Sequence, residues 1–201
     1  MAYAGWPAHG SSAPPLPSAC RFRNETGSCP IVRNVSANTS GQALTPSGAS
    51  FSRCRKWRYL LWRRWGDGPA ANFLMLNPST ADEVKLDPSC TRARVYAEHW
   101  GYGALVVTNL FGWRATDPDD MKAAKDPVGT GNDCAILGAA KHSALVVCAW
   151  GNHGAYLERS SQVISLLREK KVPLHALRLN GNGEPAHPLY LPATLRPRFF
   201  E

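Results

Sequence analysis

From residue 51 onward the chain alternates short apolar runs, at 57–65, 73–76, 104–109, 144–150 and 174–177, with stretches of helical periodicity. The first helical stretch, DPSCTRARVYAEHW, opens with Asp87 as N-cap and Pro88 at the first helical position, and sets Ala93, Tyr96, Ala97 and Trp100 on one face. A second Asp-Pro start at Asp117 opens DPDDMKAA, and Asn132 or Asp133 is placed to cap CAILGAAKH. Residues 155–171 bring Val163, Leu166 and Leu167 together and end in bases, which suits a helix C-terminus. Strands alternating with helices predict an α/β fold, a three-layer α/β/α domain with a mainly parallel central sheet. Right-handed crossovers would bring the carboxyl ends of the parallel strands to one edge.

Residues 1–48 break this pattern. They are rich in Ser, Pro, Gly, Ala, Asn and Thr without periodicity, the composition of a disordered or weakly ordered tail, so one domain over 49–201 is expected. A chain of 201 residues has room for one core of ordinary size. No run approaches the roughly 20 apolar residues of a membrane span, and the N-terminus lacks the basic and apolar regions of a secretory signal. A soluble cytoplasmic protein without a membrane association is expected. The six cysteines show no C-x-x-C and no zinc-type pairing with histidine, so they read as free thiols, with no metal site and no cofactor.

The net charge of +8 changes the picture once it is located. Six of those charges, Arg53, Arg55, Lys56, Arg58, Arg63 and Arg64, fall within FSRCRKWRYLLWRRW, which contains no acid and interleaves them with tryptophans and a tyrosine. That mixture suits contacts to a nucleic-acid backbone with stacking on bases. It equally suits an edge strand whose charges discourage aggregation. A nucleic acid or nucleotide is the expected partner, and no obligate protein partner is evident.

The strand ends carry the candidate chemistry. The run at 73–76 stops at Asn77-Pro78-Ser79-Thr80, the run at 104–109 ends in Asn109, the run at 144–150 ends in Trp150 before Gly151-Asn152-His153, and a late loop carries His187-Pro188. Asn-Pro alone is a common turn initiator. Repetition of amides and imidazoles at the edge where α/β sheets bind ligands favours a functional reading.

FLMLNPSTAD, DPSCTRARVYAEHWGYG, TNLFGWRATDP, DPVGTGND, CAWGNHG and HPLYL, together with the basic strand, resemble the bacterial and phage domain-of-unknown-function family 1643. The resemblance runs from residue 51 to the C-terminus and brings no established activity. A more distant resemblance is to the uracil-DNA glycosylase superfamily. Its first Asn/Asp-Pro motif, its later strand-ending Asn, its Trp-Gly strand and its late His-Pro loop correspond to Asn77-Pro78, Asn109, Trp150-Gly151 and His187-Pro188. Met75 and Leu189 stand where that superfamily has a leading glycine and a serine.

The superfamily resemblance implies a glycosylase-like fold and N-glycosidic hydrolysis of a base or modified base. Under it His187 donates, as neutral imidazole, to the departing base, Asn109 reads the base edge, and Asn77 holds the attacking water. Asp82 and Asp87 are the nearest carboxylates to serve as base, with Asp87 weighted toward its helix-cap role. Ser79, Thr80 and Arg114 are set as ligand or phosphate contacts, although Arg114 has Asp117 and Asp133 as alternative partners. Trp150, Gly151 and His153 are set as pocket residues. A non-catalytic nucleotide or modified-base binding module uses the same residues without chemistry, and a protein-docking role for the Arg/Trp strand is a third possibility.

Overall fold

The computed structural model describes residues 47–200. The expected tail lies outside the described residues except at its end, where Ser47 and Gly48 already belong to β1 (Ser47–Phe51). The remaining strands are β2 (Arg58–Arg64), β3 (Ala70–Met75), β4 (Ala104–Asn109), β5 (Leu145–Cys148), β6 (Leu174–Ala176) and β7 (Arg198–Phe199). They form one sheet in the order β1-β2-β4-β3-β5-β6-β7. Residues of β3 and β4 are buried along their whole length, as strands covered on both faces require.

The sheet is mixed rather than mainly parallel. Its centre, β4-β3-β5-β6, is parallel. The pairings β1 with β2, β2 with β4, and β6 with β7 are antiparallel. The difference comes from the edges. β1 and β2 are joined directly by the loop 52–57, a hairpin that makes their pairing antiparallel, and β7 is two residues long, too short to show as a periodic run.

Within the parallel centre the chain passes from β3 through α1 (Pro88–His99) to β4, then returns past β3 through α3 (Asn132–Lys141) to β5, and continues through α4 (Arg159–Glu169) to β6. Cys90, Ala93, Tyr96 and Ala97 of α1 pack with Phe73, Val107 and Val147. Ile136 of α3 and Val163 and Leu167 of α4 pack with Leu74 and Val146 in a separate cluster. Connections leaving β3 and entering β5 thus diverge, and at such a switch point the carboxyl edge of the sheet opens into a crevice.

Local signals in α1 act as expected. Asp87 Oδ1 accepts the Cys90 N–H at 2.8 Å and Pro88 opens the helix. Phe73, Tyr96 and Trp100 stack through centroid distances of 5.3–6.2 Å. Asp117 caps the short α2 (Pro118–Lys122). At α3 the expected cap is corrected: Gly131 is the N-cap and no side chain caps it. Asn132 is fully buried and its Nδ2 donates to the carbonyls of Asn109 and Leu110, both at 2.9 Å, tying the start of α3 to the end of β4.

Cys54 and Cys90 are free thiols, and Cys148 is buried outside any disulfide. Cys134 is disulfide-bonded, which corrects the expectation that all six are free. No helix among the described residues is long and apolar enough to cross a membrane.

Candidate functional site

A cleft of about 570 Å³ opens at the switch point. Asn77, following β3, Asn109, ending β4, Gly151, Asn152 and His153, following β5, and His187 of the late loop all line it. The chain places side chains from four separate segments around one volume.

Asn77, Asn109 and His187 each have their hydrogen-bonding direction fixed by a neighbour. Asn77 Nδ2 donates to the Ala115 carbonyl at 2.7 Å and to the Pro78 carbonyl at 3.2 Å. Two carbonyl partners identify that atom as nitrogen, so the amide oxygen is the group Asn77 offers a ligand. Asn109, only 2% exposed, uses Oδ1 to accept from Arg58 at 3.3 Å, leaving its Nδ2 as donor. His187 Nδ1 accepts from the Leu189 N–H at 3.4 Å, which puts the proton on Nε2. Burial lowers the His187 pKa below the ordinary histidine value, against an opposing pull from Asp87. The imidazole is therefore a neutral Nε2–H donor near neutral pH.

Gly151 lets the chain turn into this site after β5. Its φ of +74° lies in the left-handed region, its N–H bonds the Pro185 carbonyl at 2.8 Å, and a Cβ there would sit 3.5 Å from that of His187. α1 holds the far side of the same wall. Tyr96 donates its hydroxyl to Pro192 at 2.7 Å and Trp100 its indole N–H to Leu195 at 3.1 Å, anchoring the segment after His187.

Two of the six cations of the basic run are turned inward, which corrects the expectation that all six contact a nucleic-acid backbone. Arg58 and Arg63 are buried. Arg58 donates to the Ala81 carbonyl at 2.9 Å, and Arg63 to the Asp82 carbonyl at 2.6 Å and the Lys85 carbonyl at 3.4 Å. Arg55 pairs bidentately with Glu83 at 2.8 and 2.9 Å. These three residues staple the loop between β3 and α1. Arg64 turns to the carbonyls of Gly66 and Gly68, and Arg53 and Lys56 are exposed in the β1–β2 hairpin loop.

The remaining sequence candidates divide. Ser79 lines the cleft and shares a 3.3 Å hydrogen bond with Thr116. His153 is an exposed residue lining it. Trp150 reaches it, but its ring is part of the core and its Nε1–H donates to Glu184. Thr80 and Arg114 are outside the lining. Arg114 donates to the Ser79 and Arg55 carbonyls, each at 3.4 Å, and lies 5.1 Å over the Phe51 ring, while Asp133 pairs with Arg159. Asp82 is also outside; its Oδ1 accepts the Val84 and Lys85 N–H groups, both at 2.8 Å, and those bonds lower its pKa.

Asp87 is the cleft's carboxylate among the described residues. Beside it lies Cys90, whose thiol burial pushes up to about 12, so it is protonated and no nucleophile. Cys90 and Tyr190 are wall residues that the sequence did not single out, and Arg58, expected as a nucleic-acid backbone contact, is buried in the wall instead. An arginine inside an apolar strand was the one available signal for Arg58. Tyr190 is 82% exposed, with its ring centroid 5.9 Å from that of His187.

The family model described as "Protein of unknown function (DUF1643)" matches residues 58–189. The chain belongs to the DUF1643 family. The matched part of this DUF1643 chain contains every cleft residue named above except Tyr190. No curated protein and no solved structure matches it. Among the described residues of this DUF1643 protein, no group of three or more His, Cys, Asp or Glu is placed to hold a metal ion.

Proposed function

We propose that the cleft binds a nucleobase attached to its sugar and hydrolyses the N-glycosidic bond, in a glycosylase-like three-layer arrangement. The observation that carries this reading is the fixed direction of Asn77, Asn109 and His187 around one cavity. Their order along the chain also resembles that of the uracil-DNA glycosylase motifs.

In the reaction the bond between the sugar anomeric carbon and the base nitrogen breaks, and its electron pair leaves with the base. Negative charge grows on the base and positive charge on the sugar. His187 Nε2–H and Asn109 Nδ2–H donate to the base as it becomes anionic. Asn77 Oδ1 accepts a hydrogen bond from a water and aims its oxygen at the anomeric carbon. An amide orients water without taking its proton, so the proton passes to the Asp87 carboxylate and then to the released base. Exposed cations at the hairpin and the cleft mouth, Arg53, Lys56 and Arg178, contact the phosphate backbone.

Labelled single- and double-stranded oligonucleotides, each carrying one uracil, hypoxanthine or hydroxymethylated pyrimidine, test this through abasic-site formation. The reading expects abasic sites with wild type and none with His187→Ala. Silence of a folded wild type across the panel rejects it.

A second reading, a binding module for a nucleotide or modified base, draws on Asp87. One of its oxygens is already committed to capping α1, which weakens it as a base. Calorimetry showing saturable nucleoside binding without product supports this module over an enzyme.

A further inference from the structure

Arg58 is the feature that neither the loop staple nor the glycosidic chemistry accounts for. It is 1% exposed, lies against the cleft, and no described carboxylate forms an ion pair with it. Its Nη1 and Nη2 have a carbonyl and an amide oxygen as partners, and its Nε has none. A buried guanidinium whose hydrogen bonds go to neutral acceptors is costly, because its desolvation is offset only in part, by the charge of Asp87 nearby. A pure staple for the Ala81 carbonyl needs only a neutral donor.

The groups around it share a character. Asn109 turns its oxygen toward Arg58 and so faces the cavity as a donor, and His187 offers Nε2–H. The N-terminal turn of α1, a 12-residue helix, also lines the cavity through Pro88, Ser89 and Cys90, adding the positive end of a helix dipole. Asp87 offsets part of this charge, as its opposing pull on the Arg58 and His187 pKa values records.

We infer that the cleft floor is an oxyanion site, in which Arg58, Asn109 Nδ2–H and His187 Nε2–H hold a ligand group that is already negatively charged before any bond breaks. The inference rests on reading the cleft as a ligand site and goes beyond the glycosidic reading, since the bound compound then carries a carboxylate or a phosphoryl group on the part that enters first. The ring of Tyr190 at the mouth is left to meet the rest of the ligand.

The test titrates the full chain with inorganic phosphate and, separately, with acetate, by calorimetry and by the ¹⁵N–¹H resonance of Arg58 Nε. Saturable binding of one oxyanion with a shift of that resonance is expected. Arg58→Met should weaken it by about tenfold or more, as loss of a charge-assisted hydrogen bond does. Arg58→Lys should keep part of it, and Lys141→Ala, at the exposed end of α3, should change nothing. Preference for phosphate identifies a phosphoryl ligand, and preference for acetate a carboxylate. Absence of saturable binding together with an unmoved Nε resonance in wild type overturns the inference, a result that does not depend on any variant folding. The two readings separate cleanly. Base release at the wild-type rate by Arg58→Met overturns the oxyanion site and leaves the glycosidic reading standing, whereas Arg58-dependent oxyanion binding without base release does the reverse.

Discussion

The two walls of the cleft are built by different means. The wall after β3, residues 77–87, is an irregular loop held from β2 and its hairpin: Arg58 takes the Ala81 carbonyl, Arg63 those of Asp82 and Lys85, and Arg55 the Glu83 carboxylate. The wall after β5 and β6 is held by backbone bonds, such as Gly151 N–H to Pro185 and Ala186 N–H to Arg178, and by the tyrosine and tryptophan of α1. Long guanidinium arms reach carbonyls that lie out of register with any strand, whereas backbone bonds demand a fixed chain path. The first wall therefore depends on a few side chains, and single substitutions there should loosen it, while the second resists them.

The largest expected effects come from the groups that both walls present. Asn77→Ala and His187→Ala, one from each wall, should each lower base release by about a hundredfold or more, the scale of a lost oriented donor or water holder. Thermal unfolding should show both variants folded, and full rate in both ends the catalytic account. Next, Arg63→Ala should destabilise the fold by about 2–3 kcal/mol, because it leaves buried carbonyls without their charged donor. Urea denaturation measures this, and hydrogen exchange should rise in 81–86 while the segment after His187 keeps its protection. Equal loosening of both walls contradicts the comparison.

Asp87→Ala removes the cap of α1 and should cost about 1 kcal/mol by the same denaturation measurement. The pH dependence should be smaller. Burial depresses the His187 pKa, so the unfolded chain binds the proton more readily. Stability from the neutral imidazole is fully present above about pH 6.5, the ordinary histidine value, and is lost as pH falls through the folded value. His187→Gln should flatten that part of the stability profile. The smallest effect belongs to Arg55→Ala, whose ion pair is exposed on both sides. Its urea midpoint should match wild type, and a clear drop would show the outer staple to matter as much as the buried ones.

These differences explain what could be read from the residues alone. The five apolar runs became β2 to β6, and Asp87-Pro88 opened α1, because burial on both faces and a local cap leave marks within a few residues. Asn77, Asn109 and His187 were legible as strand-end and loop residues, since a parallel sheet gathers such ends at one edge. β1 was hidden in a Ser/Gly-rich stretch and β7 in two residues. The arginine staples join residues 19 to 28 positions apart, a separation to which local periodicity is blind, so a scaffold for the loop after β3 read as a surface patch. Asp82 and Asp87 were indistinguishable as nearby acids until the loop turned the first outward, onto Val84 and Lys85, and left the second in the wall.

The claim that this edge of the sheet is the working site is tested most directly by side-chain ¹H–¹⁵N spectra of the wild-type chain titrated with a nucleoside monophosphate. The account predicts saturable shifts of Asn109 Nδ2 and His187 Nε2, one from each side of the cleft, with Trp65 Nε1, bonded to Tyr102 away from the cleft, unchanged. Shifts confined to the hairpin residues Arg53 to Lys56, with Asn109 and His187 unmoved at saturation, would contradict it.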